Sequence, residues 1–537
     1  MKTHGLLVRA ALLALLFAPL SANARAQTAN EDAFALAPTP APPGFGNAID
    51  LDGDRLAVGA LGGLTAGFNS GEARIYERQP DGSWSDAATL IPTALLPGDF
   101  FGQDVAVDGD HFIGGAPGDD SNGNSAGAAY MFERRTDGTW LEVATLRPSD
   151  ALPGDTFGHR VALDGGRAVV AASRSTLFPL GRAVFVFDRQ PDGTWLEVAK
   201  LMNSDAVPND GFGAAVALDG DRIVVGAPDL PNGAPGPGAM YVFERQQNGT
   251  WNQVQRVQGN VTASSGLGSS IALEGDLAAI SGLGGVEQVE VMTRDAGGTW
   301  SSVQVLDPPD GVPFANFGNA LAIDGTTIVV GASLDDTVGG NSGSIHVYEP
   351  DGSGSWYHSV ELTRGSAAPD DFFGFDVAAS AGRFAGGLGS GGSDVDVALF
   401  DRATLYHGTS SVSGASGGTH DLLLRAGPAR AGDAYALLGS MSGTAPGTTD
   451  PVSGFTLPLV FDAYTDLIVN TGGRGVLSPW QGVLDGNGAA DATLVVPPAI
   501  DPALVGLALH HAYFTVKFTP DFNVTSASNA VRVDLAP

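Results

Sequence analysis

The sequence predicts an all-β protein, with a seven-bladed β-propeller followed by a C-terminal β-sandwich. Three observations support this prediction. A Phe-Gly step recurs every 50 to 56 residues, an Asp-Gly type of turn follows seven residues after each Phe, and a Trp closes most units. A fixed period of this length is the signature of a repeat architecture. Four-stranded units repeated around a centre build propellers of about four to eight blades.

Four sets of residues at fixed offsets define the repeat unit. The Phe stands at Phe45, Phe101, Phe157, Phe212, Phe317 and Phe373, with Leu267 in the remaining slot. The turns are Asp52-Gly53, Asp108-Gly109, Asp164-Gly165, Asp219-Gly220, Glu274-Gly275, Asp324-Gly325 and a divergent Ser380-Ala381. Fourteen residues after the Phe stand Gly59, Gly115, Ala171, Gly226, Ser281, Gly331 and Gly387. The closing residues are Trp84, Trp140, Trp195, Trp251, Trp300 and Trp356. We expect the recurring Phe and Trp side chains to pack between blades rather than to bind sugars.

The fourth unit illustrates the predicted strands. Alternating apolar residues predict strands at 214–218, 222–226 and 239–245, and a fourth strand that starts near Trp251. Asp219-Gly220 is a tight hairpin, because Gly accepts the positive φ that a two-residue turn needs. The connection at 227–238 is rich in Pro and Gly and is expected to be a loop.

The last unit, which runs from Phe373 to about residue 406, has three predicted strands and no closing Trp. Residues 31–36 resemble in pattern the segment 142–146 that precedes Phe157. We therefore expect an N-terminal strand near 31–37 to close the last blade. Such pairing would cover two strand edges that are otherwise open to aggregation.

The ends of the chain differ from the repeats. Residues 1–26 predict a secretory signal peptide, with Lys2 and Arg9 before a short apolar run and small residues at the cleavage site. That run is too short to span a bilayer, and no later stretch of about 18 apolar residues follows. We expect the propeller at 27–407. At 408–537, short apolar runs separated by turn residues predict the β-sandwich.

Composition limits the partners. The net charge of −32 repels nucleic acid and anionic lipid, so we exclude both as partners. The chain has no Cys, which excludes disulfides and thiolate metal sites. We expect an exported monomer without a transmembrane segment, either secreted or held at the cell surface, whose ligand is an extracellular protein or polysaccharide.

The Phe-Gly steps, together with Gly115-Ala116-Pro117 and Gly226-Ala227-Pro228, form the FG-GAP pattern. Residues 45–406 resemble the FG-GAP repeats of integrin α-subunit propellers and of many secreted bacterial proteins. The resemblance implies a seven-bladed propeller used for extracellular binding. Integrin-like units often carry a calcium loop between strands one and two. This chain has only a two-residue turn there, which cannot wrap the six to eight oxygens that Ca²⁺ takes.

The candidate ligand-binding residues lie on one predicted face. In an up-and-down blade, the loops between strands two and three share a face with the linkers between units. These loops are long and varied here, at 61–70, 118–126, 173–180, 229–237 and 334–342. Variable loops on a rigid scaffold are where binding usually occurs, although loops also vary without function. The candidates are Phe68, Asp119, Asp120, Phe178, Asp229, Asp335 and Asp336.

One of these loops is also the candidate cation site. Asp120, Asn122 and Asn124 alternate as oxygen donors do in calcium loops, and Gly123 permits the bend. Ca²⁺ is the cofactor that such a loop would take, and the sequence calls for no other. The alternative is a polar turn, because Asp, Asn, Ser and Gly are ordinary turn residues.

Catalytic motifs are scarce in the sequence. The histidines are scattered, and no zinc-protease motif or phosphate loop occurs. The leading hypothesis is therefore a non-catalytic protein of extracellular adhesion or recognition. One alternative is a carbohydrate-active enzyme, or a subunit of one, with a cleft at the propeller centre. It would gather charged residues with shifted pKa values in that cleft. Another is an envelope scaffold anchored by residues 408–537.

Overall fold

A computed structural model describes most of the repeat region and the strands of the C-terminal region. The described residues are 31–32, 41–79, 83–172, 183–205, 210–229, 235–258, 266–282, 287–308, 315–337, 339–350, 354–364, 369–389 and 397–401, and twelve strands between 404 and 536. The predicted signal peptide at 1–26, the loop at 173–180 with Phe178, and most of the predicted closing strand lie outside the described residues.

Every regular element of the described residues is a β-strand, as the sequence predicts. The first thirteen strands are β1 Glu31–Asp32, β2 Phe45–Asp52, β3 Arg55–Ala60, β4 Glu72–Arg78, β5 Trp84–Leu90, β6 Val105–Asp108, β7 His111–Ala116, β8 Ala128–Arg134, β9 Trp140–Leu146, β10 Phe157–Asp164, β11 Arg167–Ala172, β12 Ala183–Arg189 and β13 Trp195–Leu201. The next sixteen are β14 Val216–Asp219, β15 Arg222–Asp229, β16 Pro235–Arg245, β17 Trp251–Val257, β18 Leu267–Glu274, β19 Leu277–Gly282, β20 Gln288–Arg294, β21 Trp300–Leu306, β22 Phe317–Asp324, β23 Thr327–Ala332, β24 Ser344–Pro350, β25 Trp356–Leu362, β26 Val377–Ser380, β27 Arg383–Gly387, β28 Val397–Asp401 and β29 Thr404–His407. The last eleven are β30 Ser411–Ser413, β31 Gly418–Arg425, β32 Ala434–Ser440, β33 Thr448–Thr449, β34 Thr456–Leu457, β35 Leu477–Ser478, β36 Gln481–Val483, β37 Ala489–Val496, β38 Ala508–Phe518, β39 Phe522–Ala527 and β40 Val531–Ala536.

The repeat units form sheets of four strands that follow one another in chain order, which is the sheet pattern of β-propeller blades. The orders are β2-β3-β4-β5, β6-β7-β8-β9, β10-β11-β12-β13, β14-β15-β16-β17, β18-β19-β20-β21, β22-β23-β24-β25 and β1-β28-β27-β26. The fourth and fifth sheets are joined by a parallel bridge between Gly238 and Leu267. The two-residue strand β1 occupies the edge position of the last sheet, and a longer closing strand at 31–37 stays a prediction.

The observed strands of the fourth unit differ from the predicted ones at their ends. The hairpin of β15 and β16 continues to the pair Asp229 and Pro235, inside the segment predicted as loop. The first strand starts at Val216 rather than at residue 214. Ahead of it, Gly226 bonds Gly213 through its carbonyl and Ala215 through its N–H, which is not a regular ladder.

The described chain forms two compact units. The larger contains residues 33–347 and 363–399, and the smaller contains residues 1–32, 348–362 and 400–537. The predicted domain boundary between 407 and 408 stays a prediction. In the C-terminal region the sheets are β29-β31-β37-β35, β30-β40-β38-β32-β36 with β39 on β38, and the pair β33-β34. Their packing as a sandwich also stays a prediction. A helix with the length and hydropathy needed to cross a bilayer is absent from the described part of the chain.

The recurring Phe packs between neighbouring units. Phe101 is fully buried in a cluster that joins Ile75 of the first unit to Phe112 and Tyr130 of the second. Its ring meets that of Tyr130 edge to face, with centroids 5.8 Å apart. Such aromatic pairs contribute about 0.5–1.5 kcal/mol beyond the area they bury. The Phe of the repeat is therefore a structural residue.

Two glycines of the repeat interlock across the same interface: the glycine fourteen residues after the Phe of one unit, and the glycine of the Phe-Gly step in the next. A Cβ added to Gly59 would lie 2.2 Å from the carbonyl oxygen of Gly102, the glycine of the next Phe-Gly step. Gly102 itself has a φ of +82°, which a side chain rarely adopts. The close approach of one backbone to the next explains why both positions favour glycine.

Contacts between first strands follow the chain order and return to the start. Strand β2 contacts β6, β6 contacts β10, and the series continues through β14, β18, β22 and β26, which contacts β2. Gly387 and Gly46 repeat the interlock where the last unit meets the first, because a Cβ on Gly387 would lie 2.1 Å from the carbonyl oxygen of Gly46.

Candidate functional site

The short turns between strands one and two are bonded into a continuous series. Each turn carboxylate accepts a hydrogen bond from a turn N–H of the following unit. The pairs are Asp52 with Gly109, Asp108 with Gly165, Asp164 with Gly220, Asp219 with Gly275, Glu274 with Gly325 and Asp324 with Gly382. Between the last unit and the first, Gly53 N–H donates to the Ser380 hydroxyl at 3.0 Å. The side chains of these turns are thus occupied in joining units.

Arginines add further contacts between neighbouring units at the end of the sheets that carries the short turns. Arg167 pairs with Asp188 at 2.7 Å, donates to the Gly220 carbonyl at 2.6 Å and lies 5.0 Å from the ring centroid of Trp251. In the first four units, an acidic residue at the end of the third strand also pairs with an arginine of the next unit. These pairs are Glu77–Arg134, Glu133–Arg189, Asp188–Arg245 and Glu244–Arg294. Charged groups at this end therefore serve mainly the contacts between units.

The long loops between strands two and three are held by the linkers that follow them. Three backbone hydrogen bonds fix each of three loops, in the first, second and sixth units. The linker donates at Gly98, Phe100 and Phe101 to the carbonyls of Phe68, Asn69 and Ser70, at Gly154, Thr156 and Phe157 to those of Asn124, Ser125 and Ala126, and at Asp370, Phe372 and Phe373 to those of Gly340, Asn341 and Ser342. Backbone hydrogen bonds therefore fix the conformation of these three loops.

Asp119 faces the interior of its loop. It is 1% exposed, and its carboxylate accepts hydrogen bonds from the Tyr130 hydroxyl at 2.6 Å and from Ser121 N–H at 2.9 Å. The Arg147 guanidinium lies 3.1 Å away. Burial alone would raise the pKa of Asp119, but the hydrogen bonds from Tyr130 and Ser121 and the charge of Arg147 lower it below its ordinary value. These contacts make Asp119 a support of the loop.

Asp335 occupies the corresponding place in the sixth unit. It is also buried, and it accepts hydrogen bonds from Thr337 and from the Ser344 hydroxyl at 2.7 Å. His346 Nε2 lies 3.6 Å from its carboxylate and 3.0 Å from the Ser344 oxygen. Burial opposes ionisation, yet hydrogen bonds from His346, Thr337 and Ser344 lower the pKa of Asp335 well below its usual range. Ser, His and Asp meet here, but one nitrogen of His346 faces both partners, so this is not the relay of a catalytic triad.

The exposed aspartates of these loops cap their own backbone. Asp120 accepts a hydrogen bond from Ser125 N–H at 2.6 Å, and Asp336 accepts one from Asn341 N–H at 2.6 Å. Asn122 and Asn124 are exposed beside Asp120. Within the described ranges, no group of three or more His, Asp and Glu side chains is arranged to hold a metal. A Ca²⁺ site at Asp120, Asn122 and Asn124 stays a prediction.

Among the remaining candidates, Phe68 is the one that the structure presents to solvent. Its side chain is 74% exposed, and Leu64 and Leu96 of the same unit are 56% and 57% exposed. Asp229 lies at the end of β15, but its side chain lies outside the described residues, as does the whole of Phe178. The first unit and its linker thus expose two leucines besides Phe68, which the sequence interpretation did not select.

A cavity of about 610 Å³ is lined by the first strands of the repeat units. Three carboxylates lie in its wall, and each accepts a hydrogen bond from a backbone N–H of the following unit. Asp376 binds Ile49 N–H at 2.8 Å, Asp50 binds Val107 N–H at 2.7 Å and Asp104 binds Val161 N–H at 2.7 Å. The opposite wall is mainly apolar and includes Val216, Ile271 and Leu321.

Burial raises the pKa of all three carboxyl groups. It raises that of Asp50 to about 7, where backbone hydrogen bonds oppose the shift and Asp52 and Asp104 add to it. It raises that of Asp376 to about 7, where the bond from Ile49 opposes the shift and the charge of Asp104 adds to it. It raises that of Asp104 to about 6, and Arg160 limits this shift. The cavity thus holds carboxyl groups that titrate near neutral pH.

The sequence interpretation missed these three aspartates. Asp104 and Asp376 stand three residues after the Phe of their units, and Asp50 stands five after it. Ala48 and Ala215 fill the first of these positions in other units. The third unit has Arg160 there, so a charged residue at a position that is small in most other repeats is a signal that comparison of the units could have found.

Comparison with known proteins identifies the repeats. The FG-GAP repeat family matches residues 84–132, 140–187, 195–243 and 300–348. Integrin alpha-6 of Gallus gallus is 28% identical over 184 residues, which are 32% of this chain and 16% of that protein. The chain thus spans about a sixth of the length of this relative.

Two solved structures share low similarity with the chain. The acylaminoacyl peptidase of Pyrococcus horikoshii is 10% identical with a TM-score of 0.35, over 70% of this chain and 56% of that one. The exo-β-1,3-galactanase of Phanerochaete chrysosporium, solved with β-1,3-galactotriose, is 11% identical with a TM-score of 0.31, over 89% of this chain and 96% of that one. At these TM-scores neither likeness bears on function. Four segments of this chain thus match the FG-GAP repeat, and about a third of the chain is similar to an integrin α-subunit.

Proposed function

We propose that the chain is an exported, non-catalytic recognition protein that acts at the cell surface or outside the cell. It binds an extracellular protein or polysaccharide through the long-loop face of a seven-bladed propeller. The contrast between the two sets of loops supports this proposal. The short turns are occupied by hydrogen bonds and ion pairs between units, whereas the long loops are fixed by their backbones and keep exposed side chains such as Phe68 and Asn122.

The FG-GAP repeats and the integrin similarity support the same proposal. Rigid loops bind with little loss of conformational entropy, because the backbone is ordered before the ligand arrives. The bonds from the linker to the loops of the first, second and sixth units supply that order.

The test is binding of the full chain to arrays of glycans and matrix proteins, with calcium and with chelator. The decisive variant carries Asn122→Ala and Asn124→Ala, which change only exposed side chains of a long loop. The matched control carries Asp137→Ala and Thr139→Ala at a short turn, where these residues bond only each other locally. The proposal is supported if the Asn122→Ala and Asn124→Ala substitutions weaken binding to the array while the Asp137→Ala and Thr139→Ala substitutions leave it unchanged. The proposal is contradicted if only the Asp137→Ala and Thr139→Ala substitutions weaken binding to the array.

A second candidate function is an enzyme with its cleft at the propeller centre. The observation that favours it is the set of Asp50, Asp104 and Asp376, whose pKa values lie near neutrality in one cavity wall. The hydrogen bonds that each carboxylate accepts from the backbone favour a structural role instead. A glycosidase screen of the full chain separates the two, because an activity abolished by Asp104→Asn in a folded variant would support the enzyme.

A further inference from the structure

We propose that Leu64, Phe68 and Leu96, here named the first-unit ridge, dock a protein partner that presents an apolar side chain beside lysine or arginine. The proposal rests on the long-loop face as the binding face and adds the chemistry of the partner. Exposed apolar groups of this kind, next to polar surroundings, mark interaction sites on soluble proteins.

The ridge is rigid. Phe68 stands at the tip of its loop, and its carbonyl accepts a hydrogen bond from Gly98 N–H at 3.0 Å. Pro97 packs against the same loop, because a Cβ on Gly67 would lie 2.5 Å from its ring. The three apolar side chains are 56%, 74% and 57% exposed on this fixed backbone. A partner would therefore meet a preformed surface.

The corresponding loop of the second unit shows that the fold does not require these side chains. Asn124 stands where the first unit has Phe68, and its carbonyl is bound by the linker in the same way. Asp120 stands where the first unit has Leu64, and its carboxylate caps Ser125 N–H. The first loop thus has an exposed leucine where its neighbour has a stabilising cap. Leu64 and Phe68 stay largely exposed in the fold, so their apolar surface is available to a partner.

A protein fits the ridge better than a glycan does. Sugar recognition needs convergent polar groups, and two of the polar side chains at this loop, Thr65 and Ser70, are engaged within it. Thr65 donates to Glu72 at 2.6 Å, and the Ser70 hydroxyl bonds Gly63 and Ala66. Three aliphatic and aromatic side chains with few free polar neighbours match an apolar side chain of another protein.

The charge next to the ridge favours a basic partner. The linker that carries Leu96 continues to Asp99, whose carbonyl accepts a hydrogen bond from Gly118 N–H at the base of the second loop. The Asp99 carboxylate accepts a hydrogen bond from Leu96 N–H at 2.7 Å, so it lies at the backbone of the ridge. Burial raises the pKa of Asp99, and the charges of Asp119 and Asp120 add to this shift. Arg147 pairs with Asp119, so the exposed Asp120 adds negative charge beside the ridge. A lysine or arginine of the partner complements that charge.

The test uses the full chain and three immobilised synthetic peptides, of alternating leucine and lysine, of serine and lysine, and of leucine and glutamate. We expect the leucine–lysine peptide to bind most tightly. Phe68→Asn, which installs the residue of the second loop, should weaken that binding about tenfold, and Asp120→Asn should weaken it and reduce its salt dependence. Leu152→Ser is the matched control, because Leu152 holds the place of Leu96 one unit later and is 38% exposed. It should leave binding unchanged.

Two results would overturn the inference: equal binding of the leucine–glutamate peptide, or unchanged affinity of folded Phe68→Asn for the leucine–lysine peptide. Array binding that depends on Asn122 and Asn124 but is unaffected by Phe68→Asn would keep the long-loop face as the binding face and reject the ridge. Loss of array binding only in the short-turn control would reject the proposed function itself.

Discussion

The Asp376 carboxylate of the last unit accepts a hydrogen bond from the Ile49 N–H of the first unit at 2.8 Å, across 327 positions of the chain. The same bond recurs between the second and third units at Asp104, and between the first and second units Asp50 makes a similar bond two positions further along both strands. The junction of the last unit with the first is thus built like the junctions between consecutive units.

Substitution of an interlocking glycine should weaken this junction. A Cβ on Gly115 would lie 1.8 Å from the carbonyl oxygen of Gly158, so Gly115→Ala must push two backbones apart. We expect the free energy of unfolding to fall by about 1–3 kcal/mol, the usual cost of overpacking. Urea unfolding measures this change. Gly340→Ala is the control, because a Cβ there would meet nothing within 4 Å, and an effect as large as that of Gly115→Ala would contradict the interlock.

The three carboxyl groups in the wall of the cavity, Asp50, Asp104 and Asp376, should make stability depend on pH. Folding raises the pKa of Asp50 and Asp376 to about 7 and that of Asp104 to about 6, so the folded state favours their protonated forms. Their stabilising contribution is fully present below about pH 4 and is lost as the pH rises through about 6 to 7. We expect Asp50→Asn to reduce the stability difference between about pH 5 and about pH 8, by on the order of 1 kcal/mol. An unchanged difference would contradict the assigned pKa shift.

The arginine network should distinguish arginine from lysine. Arg167 makes a bidentate pair with Asp188 and also donates to the Gly220 carbonyl, which a lysine cannot reproduce. We expect Arg167→Lys to lower the free energy of unfolding by about 1–2 kcal/mol in thermal or urea unfolding. Arg135→Lys on an exposed turn should have almost no effect. Equal effects of the two substitutions would mean that the network contributes nothing specific.

The second loop should be supported by Asp119 rather than by a cation. Asp119→Asn removes the charge that faces Arg147 and one acceptor of the Tyr130 hydroxyl, so we expect a loss of about 1–3 kcal/mol. We expect calcium, compared with chelator, to change the melting temperature very little, both in the wild type and in Asp120→Asn. Calcium stabilisation that vanishes in Asp120→Asn would show instead that the loop binds Ca²⁺.

The sequence predicts much of the repeat but little of the contacts between units. The period located the strands, since β17 begins at Trp251 as predicted, because alternation and turn residues act locally. The strand extension to Pro235 depends on its cross-strand partner Asp229, which a local pattern does not specify. Likewise, the polar residues around Asp119 fit both a cation loop and a hydrogen-bonded turn. Only the position of Tyr130 shows that its carboxylate faces inward.

Hydroxyl-radical footprinting tests directly whether the long-loop face binds the ligand. The full chain is measured free and bound to the ligand that the array identifies. Phe68 and Leu96 on the long-loop face and Leu141 and Leu196 on the outer strands are all exposed, so both groups react in the free protein. We expect the ligand to protect Phe68 and Leu96 from oxidation and to leave the reactivity of Leu141 and Leu196 unchanged. Protection of the outer-strand leucines with Phe68 and Leu96 unchanged would contradict this expectation.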